Sequence, residues 1–171
     1  MSELIAFSGS HGTGKTTAAY NLALSYKYNY PDKSVHALVD QEAFCPYPIN
    51  KEATLESQLW IFTNKINQEL SLLRRFDIVV TDRTIVDVIA YTSYLGFDSM
   101  AMTMFEVAKN YILKYHQIAF KGINNNAFCY SDGIRDAHDV AFRQEVEGLM
   151  VGYYTELIET SCMPSEVIKY V

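Results

Sequence analysis

Cysteine is scarce and irregularly placed, with only Cys45, Cys129 and Cys162 in the chain. An odd number without ligand spacing argues against a disulfide framework or a zinc cluster, and predicts free thiols in a reducing, cytoplasmic setting. Long apolar runs are also missing. Leu4 to Phe7 is too short for a signal-peptide core. Nothing approaches the ~20 residues that span a bilayer, so no membrane partner is expected. Basic charge is short: 14 Lys and Arg stand against 20 Asp and Glu, a formal net charge of -6. That balance disfavours a sequence-blind nucleic-acid binder, which needs a basic surface, although a local basic groove would escape the count. Linkers, repeats and low-complexity segments are absent too. Residues 1–171, 49% of them hydrophobic, therefore read as a single domain long enough for a core.

The apolar residues that are present alternate between two periods. Leu4 to Phe7, closed by Gly9, suits a strand buried on both faces, and Lys15 to Tyr28 reads as a helix stopped by "NYPD". Val35 to Val39 is a second strand, followed by "FCPYPIN", where Pro46 and Pro48 forbid regular structure. Leu55, Leu59, Phe62, Ile66, Leu70 and Leu73 step by three or four and predict one buried stripe on a long helix. "FDIVVTD" is a third strand. Ile85, Val88, Ile89 and Leu95 stripe the next helix up to Gly96, and another covers Met100 to Lys114. "QIAF" is a fourth strand, and Lys121 to Asp136 is polar and irregular. Phe142, Val146, Leu149, Tyr153 and Leu157 mark the last helix before "EVIKYV", the fifth strand. Strands alternating with helices predict an α/β domain around a parallel sheet, with ligands at the carboxyl ends of the strands.

Glycine is uncommon, eight in all, yet three fall within "GSHGTGKT", Gly9 to Thr16. The pattern G-x-x-x-x-G-K-[ST] between a strand and a helix predicts a phosphate-binding loop. Gly9, Gly12 and Gly14 let backbone N–H groups converge on phosphate oxygens, and the helix N-terminus adds partial positive charge. Lys15 is expected to reach the β- and γ-phosphates of ATP, and the Thr16 hydroxyl to help hold Mg²⁺. Ser10, His11, Thr13 and Thr17 complete the loop as nucleotide-contacting positions, with no catalytic role assigned to His11.

Three further constellations follow predicted strands. Asp82 and Arg83, in "DIVVTDRT", offer a carboxylate for Mg²⁺ and a guanidinium fork for an anion, or else a pair that caps the next helix. Asp40 and Glu42, in "VDQEAF", offer a carboxylate to take a proton from an attacking hydroxyl, or else a solvated loop. Arg135 and Arg143, in "SDGIRDAHDVAFR", flank a glycine turn. The chain has only five arginines, and apart from Arg74 and Arg75 at a helix end they all fall at these suspected anion sites. Arginines on a closing segment neutralise charge in a transition state, and a salt-bridged surface helix is the plainer reading.

With these pieces in order, the chain resembles small P-loop kinases. The likeness is to the ATPase/kinase group that includes nicotinamide riboside kinase domains, and more distantly to thymidylate and deoxynucleoside kinases. It rests on Gly9 to Thr17, on "VVTDRTIVDVIAY" and on "SDGIRDAHDVAFRQEV". The resemblance implies a three-layer fold with a five-stranded parallel sheet in the order 2-3-1-4-5, flanked by helices, and a lid at about residues 121–143. It implies that Asp82 and Arg83 serve metal and substrate, that Arg135 and Arg143 are lid arginines on ATP, and that Glu42 acts on the acceptor. Phe44 and Cys45 stand where the riboside-kinase group often has an arginine.

Gln58, lying off the apolar stripe, is a candidate to hydrogen-bond an acceptor base, and Phe62 to stack on it. Tyr91 and Tyr94 are candidates to line the acceptor pocket. The expectation is a Mg²⁺-dependent transfer of the γ-phosphoryl of ATP to a small nucleoside or nucleotide. A kinase acting on a base or end within DNA and an ATP-operated binding module are the alternatives. The sequence leaves the oligomeric state open, a homodimer included.

Overall fold

The short apolar runs pair side by side, in parallel, as a sheet should when helices separate its strands. The protein, described here by a computed structural model of residues 2–123 and 139–171, has five strands among these residues. They are β1 (Glu3–Ser8), β2 (Val35–Leu38), β3 (Ile78–Asp82), β4 (Tyr115–Phe120) and β5 (Ile168–Tyr170), in the order β2-β3-β1-β4-β5. The described α-helices are α1 (Lys15–Asn29), α2 (Leu55–Leu73), α3 (Ile85–Tyr94), α4 (Asp98–Tyr111) and α5 (Val140–Glu159). The fold class is as the sequence pattern predicts, and the strand order as the resemblance implies. No described helix is long and apolar enough to cross a membrane.

β1 is central because both its faces are apolar. Ile5 joins Ile78, Val80 and the alanines Ala19 and Ala23 of α1 on one face. Leu4 and Ala6 join Val79, Ile118 and the helices α2 to α5 on the other, so the domain has three layers. The chain leaves β1 toward β2 on one side and later crosses from β3 past β1 to β4 on the other, which opens a crevice at the carboxyl ends of β1 and its neighbours. Phe7 is in register with Asp82 and Ser8 with Phe120, so the residues after β1 and β3 emerge together.

One predicted stripe is rotated in the structure and a second is met only in part. On α2, Leu55, Leu59 and Leu70 are exposed at 37%, 44% and 42%, while Ser57, Gln58, Ile61, Phe62, Lys65 and Glu69 are buried. Apolar periodicity fails here because polar side chains find partners inside. Lys65 Nζ lies 3.0 Å from Glu69 Oε1 and donates to Thr81 Oγ1 at 3.0 Å. Tyr111 and Tyr115 donate their hydroxyls to Glu69. On α5, Phe142, Val146 and Leu157 are buried as expected, while Met150 and Tyr154 are buried more fully than the half-buried Leu149 and Tyr153, the Tyr154 hydroxyl bonding Ser8 and Thr84 below the phosphate loop.

Element ends also shift. The residues before Ile168 form a short 3₁₀ turn, Ser165–Val167, so β5 is shorter than "EVIKYV" suggests. α4 begins at Asp98 and passes into a 3₁₀ turn at Ile112–Lys114. Most of the predicted lid, with Arg135 and Cys129, lies outside the described residues.

Candidate active site

The loop after β1 turns where only glycine fits. Gly9 has φ +136°, and a Cβ there would sit 2.3 Å from the Lys121 carbonyl oxygen. That crowding follows from the sheet itself, since the Lys121 N–H donates to the Ser8 carbonyl at 2.8 Å. α1 then starts at Lys15 without a side-chain cap, leaving first-turn N–H groups for an anion. Lys15 Nζ, nearly buried, donates to the Ser10 carbonyl at 2.6 Å. Ser10 Oγ is buried with no hydrogen-bond partner among the described residues, an orphan at the loop that a ligand would satisfy.

A carboxylate that the sequence reading passed over anchors this loop. Asp87 Oδ1 accepts from Gly9 N–H at 3.0 Å, and Oδ2 accepts from Ser8 Oγ at 2.7 Å and from Thr84 N–H at 2.8 Å. Thr84 and Asp87 form a capping box at the start of α3. The T-x-x-D spacing in "TIVD" was the signal available for finding it.

Asp82 and Thr16 meet across the site, Thr16 Oγ1 donating to Asp82 Oδ2 at 2.6 Å. Burial raises the Asp82 carboxyl above the usual carboxylate range, and the Glu42 carboxylate adds to this. A cation beside Asp82 would relieve both effects. No described cluster of three His, Cys, Asp or Glu could hold a metal alone. Thr16, Asp82 and phosphate oxygens together fit Mg²⁺, which keeps few protein ligands. Asp82 does not cap the next helix; Thr84 does.

Arg83 occupies φ +127°, a region rarely taken by a residue with a side chain. Its Nε lies 2.9 Å from Glu42 Oε1, and its guanidinium lies 5.2 Å from the Tyr91 ring centroid. The Nε–H is misaligned for a hydrogen bond, so the contact is ionic. Burial opposes its charge, but the Glu42 carboxylate leads the neighbours that hold the guanidinium well above its ordinary range.

Beside this pair is a cavity walled by Ile49, Ile61, Val88, Leu95 and Phe142. Its polar lining is His11, Glu42, Lys51, Gln58, Arg83 and Tyr91. The structure thus brings Glu42, Gln58, Arg83 and Tyr91 together in the lining of one cavity. Gln58 is buried, its amide 3.1 Å from Thr92 Oγ1. Phe62 belongs instead to the core, and Ile61 takes its place on the wall. Tyr94 packs on Phe142 with ring centroids 4.4 Å apart, behind the lining.

His11 joins loop and cavity: its backbone N–H donates to the Tyr91 hydroxyl at 3.1 Å, and its Nδ1 lies 3.0 Å from the same oxygen. Arg143 Nε donates to the His11 carbonyl at 2.9 Å, so this arginine braces the phosphate loop in the structure as described.

Residues 4–162 match the family described as AAA domain, which is nearly the whole chain. The chain belongs to the AAA-domain family. Among solved structures, this AAA-domain protein is similar to thymidylate kinase from Ehrlichia chaffeensis at 18% identity and TM-score 0.63, covering 99% of this chain and 88% of that one. It is similar to thymidylate kinase from Candida albicans at 18% identity and TM-score 0.66, covering 99% and 83%. It is also similar to deoxyadenosine kinase from M. mycoides at 11% identity and TM-score 0.63, covering 98% and 88%. No curated protein matches. The fold is that of the P-loop kinases; at these identities the likeness speaks to fold alone.

Proposed function

We propose that this AAA-domain protein transfers the γ-phosphoryl group of ATP, with Mg²⁺, to a nucleoside or nucleotide held in the cavity. The observation that carries this reading is the junction of two sites. One loop residue, His11, belongs both to the phosphate loop and to the lining of a cavity that also holds Glu42 and Arg83. A nucleotide switch needs the first site and has no use for the second.

In this reading the loop N–H groups and Lys15 bind the phosphates, Lys15 leaving the Ser10 carbonyl to do so. Thr16 and Asp82 would hold Mg²⁺, which would supply positive charge to offset the negative charge of the transferring phosphate. Arg83 fixes Glu42 by the 2.9 Å ion pair, and Glu42 takes the proton from the acceptor hydroxyl. Gln58 orients the acceptor, and Arg135 and Arg143 are the proposed lid cations.

The test is incubation with labelled ATP, Mg²⁺ and a panel of nucleosides, monophosphates, nicotinamide riboside and oligonucleotides. Label should appear in a small-molecule acceptor and ADP release should depend on it. ADP release that ignores every acceptor would sink the kinase reading and favour an ATP-operated module.

A further inference from the structure

The lining of the acceptor cavity separates two chemistries that share this fold. A nucleoside brings a neutral hydroxyl, whereas a nucleoside monophosphate brings a group carrying about two negative charges. A site for the second needs cations to spare. Among the described residues the lining holds two lysine or arginine side chains, Arg83 and Lys51. Arg83 is paired with Glu42 at 2.9 Å, and Lys51, at the rim, with Asp139 at 2.7 Å. The formal charges of these two pairs cancel. The rest of the lining is apolar wall, the Gln58 amide, and the His11–Tyr91 pair.

Resting on the kinase reading above, we propose that the acceptor is an uncharged nucleoside-type molecule with a free hydroxyl, and that the paired Glu42 excludes its phosphorylated counterpart. A monophosphate would have to displace Glu42 from Arg83 while lying beside that same carboxylate. Discrimination of this kind comes from repulsion of the wrong partner. A neutral hydroxyl meets the pair as it stands. Its oxygen attacks Pγ, the new O–P bond forms as the Pγ–O bond to ADP breaks, and the hydroxyl proton passes to Glu42 and then to solvent. The apolar walls take a flat heterocycle, and Gln58 supplies one hydrogen-bonding edge.

The experiment measures kcat/KM on matched pairs, each nucleoside against its own 5′-monophosphate, with ATP and Mg²⁺. The nucleoside is expected to be preferred by at least ~100-fold, the scale set by like-charge juxtaposition. Preference for the monophosphate overturns this proposal and leaves the kinase reading intact. ADP formation independent of both overturns the two together. Labelling of an oligonucleotide in place of the free nucleoside overturns the small-molecule acceptor. A binding measurement adds a readout apart from turnover: Glu42→Gln releases Arg83, so monophosphate affinity should rise about tenfold as a repelling charge is lost. Unchanged monophosphate affinity in folded Glu42→Gln overturns the exclusion by Glu42.

Discussion

Glu69→Leu isolates the energetics of the buried polar cluster beneath the site. Glu69 is fully buried and Lys65 is 3% exposed, with 3.0 Å between Nζ and Oε1. The substitution leaves the ammonium bonded to Thr81 Oγ1 at 3.0 Å, and takes the acceptor from the hydroxyls of Tyr111 and Tyr115. Breaking a buried pair from one side costs about 3–5 kcal/mol, because an uncompensated charge remains. Against a typical total of about 5–15 kcal/mol, that is a large fraction. Each kcal/mol shifts Tm by about 2–4 °C in a chain of this size, so a loss of roughly 6–20 °C is expected. Lys65→Met/Glu69→Leu removes the stranded charge and should recover about 1–2 kcal/mol of the loss, the tyrosine hydroxyls remaining unsatisfied. Urea unfolding with a constant m-value gives both numbers. If Glu69→Leu stays within about 1 kcal/mol of the parent, or the double variant is no more stable than the single, the reasoning is wrong.

Lys15→Ala should lower phosphoryl transfer by about 10²-fold or more, the cost of one lost charge-stabilising donor, with the protein still folded by circular dichroism. A variant retaining most of the transfer rate would remove Lys15 from the phosphate site. Gly9→Ala should lower Tm by several degrees, since φ +136° is strained for alanine by about 1–3 kcal/mol and its Cβ meets the Lys121 carbonyl at 2.3 Å. A melt superimposable on the parent's would show that the loop accommodates a side chain. Stability should fall above pH ~10, because burial first and Glu69 second raise the Tyr111 and Tyr115 phenols in the folded state. The unfolded chain then loses protons that the folded one keeps, so stability present below that pH is lost as it rises. Tyr111→Phe should flatten this alkaline slope in pH-dependent urea titrations, and an unchanged slope would contradict the assignment.

Much of the fold was legible because buried parallel strands announce themselves as short apolar runs. β1 and β3 read directly from "LIAF" and "DIVVTD", and the crossing helices followed from their spacing. The phosphate loop was legible because its chemistry demands glycine and lysine at fixed positions. What escaped was polar burial. Lys65 and Glu69 look like a solvated helix face in sequence, yet both lie inside because partners come from β3, α4 and β4, elements distant in the chain. The same cause rotated the α2 stripe. His11 escaped for a different reason: its position in the motif tolerates many residues, and only α3 packing shows that Tyr91 reaches it.

These hidden polar groups converge on Asp82–Arg83. Arg83 at φ +127° carries backbone strain of about 1–3 kcal/mol, which persists only where neighbours over-determine the chain. Before the pair, Thr81 is held by Lys65; after it, the Ile85 N–H donates to the Tyr115 hydroxyl, which in turn donates to Glu69. Thr84 is held by Asp87, and Asp87 also accepts the Gly9 N–H that begins the phosphate loop. One buried carboxylate therefore fixes the start of the loop and the start of α3 in a common frame. The helix that carries Tyr91 and follows Arg83 cannot move against the loop without breaking bonds to Asp87. An apolar core of equal volume would supply comparable stability, but it would not tie the phosphate loop to the strained arginine by directed bonds. That directional requirement accounts for burying a lysine, a glutamate and an aspartate at positions where sequence periodicity leads one to expect a solvated face.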